Sequence, residues 1–527
     1  MRVKSRLRLS LDHVWLFAAV AFIALRALLT PIPPHDFWWH MATGRLIATE
    51  GAIPTVDRFS YTQAGEPFYN QSWLAQLLMY GGYELGGAAL LIAAQAVLLA
   101  FTYGLLLHLC IRRSGAIRLS AGFIMVATLP ASFDNWIIRP QTYALPLFVI
   151  FLYVLTIWRT EARAEQPWYV RWRASGLWLL PLLAAIWVNL HGAFVLGGAL
   201  IGLTFAGEAI ERWWEARRER RSWANRPVGR AEDVLTREPI PQRAPLIDLI
   251  IVGVLTGAAW LLNPGGFQVI GYVRNLLSSS AVTQLVTEWA PPTIRDPNGM
   301  IFFGFLLAGM VILAYSRRRP ELTVMLIMGA FLYLALGAVR NNIWFVAVAT
   351  PLLVVQLTGW RAPDTPQRKP FQGVPMLNGL LIGLIGFSLL ICLPWVKPAL
   401  DLPPDVGALL SPSTPVAAVD ALRADPDRPE RLFHAMSYGS YLIWAAPEQA
   451  VWADPRIELY PLEQWLDYRR LSAGGDTEQL LEFYNIDGLL LSVEDQSALV
   501  EYARVHPEQW ELRYEDETAV YFVHRQR

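Results

Sequence analysis

The sequence predicts a polytopic α-helical membrane protein that ends in a small α/β domain. Three observations predict it. Of the 527 residues, 54% are hydrophobic and 17% charged, where an average soluble domain carries about 25% charged residues. Apolar runs long enough to span a bilayer recur as far as about residue 395. Basic residues also gather in alternate connecting segments, which is the bias expected of cytoplasmic loops. Formal net charge is zero, so no bulk electrostatic attraction to nucleic acid is expected. Cys110 and Cys392 both lie in apolar runs, and neither a disulfide framework nor a metal cluster is read from them.

Taken in order, the chain opens with the basic stretch MRVKSRLRLS and an apolar run over 14–30. No small-x-small cleavage site follows, so the run reads as a signal-anchor. Further spans are expected near 88–110, 118–133, 141–158, 177–190, 193–210, 246–263, 300–316, 321–339, 343–358 and 376–395. That makes about eleven, with no internal repeat. With the N-terminus in the cytoplasm, the inner segments hold roughly 26 Lys and Arg against about 6 in the outer loops before the C-terminal region. The basic 212–245 segment reads as a solvated or headgroup-facing stretch. An odd number of spans then places the C-terminal region outside. The expected domains are 1–398, spanning the membrane with a long first outer loop over 31–87, and 399–527, a small α/β domain on the outer face. In the latter RLFHA, AVWAD, GLLLSV and AVYFVHR read as strands, alternating with helical patterns. LPPDVGALLSPSTP before them reads as a proline-rich tether.

Polar residues that suit chemistry cluster on the outer side. In PPHDFWWHMATGRLIATEG, a helix from Phe37 to Glu50 is closed by Gly51 at the position of a C-cap. Asp36 stands where an N-cap would, and His40 follows on the same face. Asp36 then either caps the helix beside an interfacial tryptophan belt, or joins His40 as a carboxylate and imidazole suited to proton abstraction or metal binding. Arg139 and Arg340 each stand at the outer end of a span, as phosphate binders or as snorkelling side chains. WVNLHG puts Asn189 and His191 in a tight outer hairpin, where polar groups need a protein or water partner. Glu288 lies on an outer loop of about 35 residues, and loops of that length are usually lids or binding loops. Asp57 lies in the first loop, and Asp454, Arg456 and Glu458 lie just past a candidate strand, where a turn or a ligand contact are both open.

The series Asp36-Phe-Trp-Trp-His40, Gly44-Arg45, Ile53-Pro54, Asp57-Arg58-Phe59-Ser60-Tyr61, Asn70 and Ser72-Trp73-Leu74-Ala75-Gln76 resembles the first periplasmic loop of bacterial GT-C-type integral membrane glycosyltransferases. That superfamily includes the oligosaccharyltransferases, the protein O-mannosyltransferases and the aminoarabinose transferases of lipid A. Arg139-Pro140-Gln141, Trp187-Val188-Asn189-Leu190-His191-Gly192, Asn263-Pro264, Glu288-Trp289 and Arg340-Asn341-Asn342 extend the resemblance in order along most of the chain. It implies a sugar transferred, with inversion, from a polyprenyl-phosphate donor to a glycan, lipid or protein acceptor outside the plasma membrane. Asp36 fits the acidic residue of the first loop that acts as catalytic base or helps bind a metal, with His40 as partner, and Arg139 and Arg340 fit the donor phosphate. Asp57, Asn189, His191 and Glu288 are then substrate contacts. A divalent metal, Mg or Mn, shared by Asp36 and Asp134 belongs to some branches, although the surroundings of Asp134 depart from the paired-acid pattern. A transporter or flippase places its polar groups at mid-membrane on interrupted, repeated helices, whereas these gather at one rim. A non-catalytic scaffold of envelope polysaccharide assembly is the other alternative.

Overall fold

The computed structural model describes residues 9–132, 136–224, 243–278, 287–360 and 371–525. Each apolar run forms a helix. These are α1 (Leu11–Leu28), α3 (Trp73–Ser114), α4 (Ile117–Ser132), α5 (Pro140–Glu161), α7 (Leu179–Leu190), α8 (Val195–Ala224), α9 (Ile247–Ala259), α11 (Pro297–Tyr315), α12 (Leu322–Gly337), α13 (Asn342–Thr358) and α14 (Pro375–Ile391). Between them lie α2 (Asp36–Glu50), α6 (Trp168–Ser175) and α10 (Gln268–Ser278). The chain is a helical membrane protein. Among the described residues six helices are long and apolar enough to cross a bilayer, or seven if α6 and α7, bent by 48°, count as one span. The expectation of about eleven included α4, α9, α12 and α14, which at 10–17 residues are shorter than the ~20 a straight crossing takes.

Two glycines shape the first loop. α3 breaks where Gly87 takes φ +62°, a conformation that glycine adopts without a Cβ clash. The break falls where the outer loop was expected to end. At Gly44 of α2 an added Cβ would lie 2.2 Å from the Gln76 carbonyl oxygen, so the helices α2 and α3 touch backbone to backbone. Gly51 closes α2 in the left-handed region at φ +68°, as the sequence predicts.

The chain after α14 forms α15 (Val416–Ala424), β1 (Leu432–His434), α16 (Met436–Ala445), α17 (Leu462–Ser472), α18 (Thr477–Phe483), β2 (Gly488–Ser492), α19 (Ser497–Val505), β3 (Trp510–Glu515) and β4 (Ala519–His524). The sheet order is β1-β2-β4-β3, with β1 and β2 parallel and the other pairs antiparallel. Two details differ from expectation. AVWAD forms no strand, because Val451 spends its backbone on a bridge to the first loop (Val451 N to Phe59 O 3.0 Å, Tyr61 N to Val451 O 3.0 Å). WELRYE is the edge strand β3, largely solvent-facing, so it lacks the apolar run that marks a buried strand. The proline-rich segment is docked rather than loose. The buried Lys397 ammonium donates to the carbonyls of Leu28 (2.8 Å) and Val406 (3.0 Å), and Ser411 N donates to Ile32 O at 2.8 Å.

The tryptophans after Asp36 are buried in protein, not spread along a membrane interface. Trp38 and Trp39 are 1% and 8% exposed, and α2 packs against α16. The Trp38 ring lies 5.1 Å from Tyr441 and 6.0 Å from Trp444, and Trp39 N donates to Ser440 Oγ at 3.0 Å. Aromatic pairs of this kind contribute about 0.5–1.5 kcal/mol beyond area burial.

A second clasp is ionic. Arg456 Nη2 reaches Asp57 Oδ1 and Asp454 Oδ2, both at 2.6 Å, with all three side chains at 2% exposure or less. Ser60 donates its N–H (3.0 Å) and hydroxyl (2.6 Å) to the other Asp57 oxygen, and Tyr460 donates its hydroxyl to Asp454 at 2.6 Å. This corrects the expectation that Asp57 contacts substrate, since its carboxylate is enclosed and saturated by protein donors. Breaking one partner of a buried pair costs about 3–5 kcal/mol because charge is left uncompensated. Arg456→Met, which strands two carboxylates, is therefore expected to lower the unfolding temperature sharply and expose 400–460 to limited proteolysis. A variant with wild-type melting in detergent would show that the clasp holds nothing together.

Candidate active site

Four chain segments converge at the start of α2. Asp36 is its first residue, and His35 before it is the N-cap, without a side-chain cap bond. The cap expected of Asp36 is therefore absent, and its carboxylate is free to face the first turn's positive dipole end and what lies beyond. Arg139 stands immediately before Pro140, extended at φ −159°, ψ 166°, because a proline drives the preceding residue out of the helical region. Its Nη1 lies 2.7 Å from Glu288 Oε1 and 3.6 Å from Asp36 Oδ2. Glu288 belongs to a 3₁₀ turn over Thr287–Trp289. This turn is joined to a second, Val339–Asn341, by Val339 N donating to Ala290 O at 3.0 Å. Arg340 on the second turn lays its guanidinium 4.7 Å from the Trp289 ring centroid and donates to Gln141 Oε1 at 3.2 Å. Among the described residues Arg340 has no carboxylate within ion-pair distance; Arg139 has two.

The two acids are pushed apart electrically. Burial raises Asp36 above the usual carboxylate range, Arg139 pulls against it, and the Glu288 charge adds to the rise. Burial also acts to raise Glu288, but Arg139 and Arg340 outweigh it and hold its carboxyl below the usual range. Two like groups driven in opposite directions are a common basis for dividing proton-transfer roles.

The imidazoles are neutral. Burial, aided by His191 and Arg139, holds His40 well below the ordinary histidine range, and burial with Arg340 and Arg139 takes His191 down to about 3. Asn70 donates to Gln76 Oε1 at 2.7 Å, so the Gln76 amide nitrogen is the donor to His40 Nδ1, 3.1 Å away. The His40 proton then sits on Nε2. No hydrogen bond joins His40 to Asp36 among the described residues; His40 is oriented by Gln76 instead. His191 Nδ1 accepts from Ala193 N at 3.1 Å, leaving its Nε2–H as a donor as well.

Asn189 does not line this group. Its Oδ1 accepts from Trp73 Nε1 (2.8 Å) and Asn263 Nδ2 (3.3 Å), and its Nδ2 donates to the carbonyls of Ala185 (2.8 Å) and Leu262 (3.0 Å). With four contacts made, the substrate role expected of Asn189 gives way to tying α3, α7 and the chain after α9 together. Asp134 lies outside the described residues. Among those described, no group of three or more His, Cys, Asp or Glu is arranged to hold a metal. Arg139 already places a cation between Asp36 and Glu288, so the described acids do not fit a divalent ion without displacing it.

Sequence reasoning left one member open between a turn and a ligand contact, and missed two others. Glu458, in the turn Ile457–Leu459, is raised by burial and by Asp36, against Arg456. Tyr272 of α10 feels both Glu458 and Arg340, and His35 acts on both Asp36 and Glu288. Glu458 had a signal, its place just past a candidate strand beside Asp454 and Arg456. Tyr272 had none, since an aromatic in an amphipathic helix is ordinary.

No protein-family model and no curated protein matches the sequence. Among solved structures, the chain is similar to the crystal structure of ArnT from Cupriavidus metallidurans bound to undecaprenyl phosphate, at 14% identity, over 96% of this chain and 97% of that one, with a TM-score of 0.46.

Replacing Glu288 by Gln removes a like charge from Asp36 and releases Arg139 toward it. Both effects lower the Asp36 pKa. The protonated-carboxyl infrared band assigned to Asp36 by subtraction of an Asp36→Asn spectrum should then titrate at lower pH in Glu288→Gln than in wild type. An unchanged or higher midpoint would mean that Glu288 and Asp36 are not coupled.

Proposed function

We propose that the chain is a membrane glycosyltransferase that moves a sugar from a polyprenyl-phosphate donor to an acceptor on the outer face. Residues 1–398 would be the membrane part, with the N-terminus cytoplasmic, and 399–527 an outer domain that covers the site. The observation that carries the reading is the pairing of Asp36, a carboxylate with a raised pKa, with Arg340, a guanidinium that has no carboxylate within ion-pair distance among the described residues.

Glycosyl transfer by single displacement needs those two groups. A base takes the acceptor proton as the new C–O bond forms at the anomeric carbon, and the bond to the phosphate oxygen breaks on the opposite face. The phosphate departs with extra negative charge, which a guanidinium stabilises bidentately. In this reading Asp36 is the base and Arg340 binds the leaving phosphate, stacked on Trp289. Arg139 positions Asp36 and Glu288. His40 and His191, as neutral Nε2–H donors, face sugar or phosphate oxygens. Glu288 and Glu458 contact the sugar or acceptor.

Undecaprenyl phosphate, as the donor's leaving half, is the probe for binding, and its release from lipid-linked sugars of the cognate membrane reports transfer. Asp36→Asn is expected to bind the probe normally and transfer about 100-fold more slowly or worse. Arg340→Ala is expected to weaken probe binding by about 10-fold or more, as loss of a hydrogen bond to a charged group predicts. Near-normal transfer by Asp36→Asn removes the base assignment, and unchanged probe affinity in Arg340→Ala removes the phosphate site.

A further inference from the structure

Helix α5 begins at the active site, with Arg139 as its N-cap, and ends by Arg159. The nineteen steps from Pro140 to Arg159 cover about 29 Å at 1.5 Å per residue. α13 runs beside it, from the turn that carries Arg340 to Gln356. At the far end of both helices, opposite the Asp36 group, lies a cavity of about 460 Å³, a volume typical of ligand sites. Its walls are apolar, with Leu152 from α5, Leu200 from α8, Ile327 from α12 and Leu352 from α13. Its mouth is basic, with Arg113, Arg159, Arg318 and Arg319.

The charges at the mouth do not balance. Arg159 donates to Glu208 and Glu321, both at 2.8 Å, and Arg113 to Glu321 at 3.1 Å. Glu208 is shared further with Arg212 and Arg243, at 3.3 and 3.5 Å, so no acid charge is left over there. Arg318 and Arg319, on the turn between α11 and α12, have no carboxylate partner among the described residues. The wall also contains Gln356, 2% exposed, whose side-chain oxygen has no hydrogen-bond partner. An unpartnered amide in an apolar wall costs free energy unless something polar enters to meet it.

We propose that this cavity binds one anionic glycerophospholipid of the leaflet opposite the active site. The phosphodiester sits on Arg318 and Arg319, the glycerol ester region meets the Gln356 amide, and an acyl chain fills the space between Leu152, Leu200 and Leu352. Basic pockets between membrane helices recognise anionic headgroups in this way. The apolar walls and the buried amide distinguish the site from a general attraction of basic loops to an anionic surface. Residues 316–320 lie in a segment that the loop-charge bias assigns to the cytoplasm, where the anionic lipid of the inner leaflet is met. The inference stands apart from the chemistry at Asp36.

The test uses the full chain, delipidated in mild detergent, with phosphatidylglycerol or phosphatidylcholine added. Native mass spectrometry and thermal melting read the binding. Phosphatidylglycerol is expected to give a saturable one-to-one adduct and to raise the melting temperature, with phosphatidylcholine doing neither. The double variant Arg318→Ala/Arg319→Ala is expected to lose affinity for phosphatidylglycerol about 10-fold or more, while melting normally in phosphatidylcholine and binding undecaprenyl phosphate as before. Leu352→Trp, which fills the cavity and leaves the arginines, is expected to abolish the adduct. Equal binding of the two lipids, wild-type affinity in the double variant, or displacement of the adduct by undecaprenyl phosphate would each overturn the proposal.

Discussion

A buried guanidinium has to be neutralised, and Arg139, 5% exposed, organises the Asp36 end of this bundle on that account. Its two acids come from stretches about a hundred residues or more away on either side, Asp36 at the head of α2 and Glu288 on a turn before α11. Uncompensated, a cation at that depth would cost several kcal/mol. The turn holding Glu288 is thereby drawn in, bringing Trp289 with it, and Trp289 supplies the face on which Arg340 rests. Pro140 sets the geometry by keeping Arg139 extended at the mouth of α5. The site is thus assembled from loop ends by charge balance, while the helices beneath supply rigidity.

What the sequence made legible follows from periodicity and sidedness. Apolar runs locate the helices, although α8 runs on to Ala224 and α3 starts at Trp73, before its kink, and Gly51 marks the end of α2 because a left-handed C-cap has a local signature. The gathering of Asp36, Arg139, Glu288 and Arg340 was readable because loop charge assigned all four to one face, although their contacts were not. Pairings between distant segments were illegible. Asp57 meets Arg456 across 399 positions, and nothing near either residue distinguishes a buried ion pair from an exposed one. Trp38 and Trp39 looked like an interfacial belt because a tryptophan facing lipid and one facing α16 have the same neighbours in sequence. Asn189 was misplaced for the same reason, since its four partners include Trp73 and Leu262.

The bundle carries positive charge at both ends for different reasons. At the Asp36 end Arg139 is buried and matched to acids, with Arg340 held ready by an aromatic face and an amide. At the opposite end Arg113 and Arg159 are matched, while Arg318 and Arg319, without a carboxylate partner among the described residues, lie beside an apolar cavity. α5 and α13 run from one group to the other as continuous helices, so a lipid seated in that cavity would brace the two helices that hold Arg139 and Arg340 in place.

The choice between Asp36 and His40 as proton acceptor turns on which atom each can offer. His40 has its Nδ1 lone pair occupied by the Gln76 amide, and its other nitrogen carries the proton. To accept a proton it would have to give up that bond and become a cation next to Arg139 and Arg456, both of which, after burial itself, hold its pKa down. Asp36 is opposite in each respect. Its first-turn position leaves the carboxylate 31% exposed, and burial raises rather than suppresses its affinity for a proton. The Arg139 guanidinium at 3.6 Å is close enough to fix its orientation and too far for a full hydrogen bond. A group that must hold a proton briefly and release it is better served by that balance than by an imidazole locked into its neutral form.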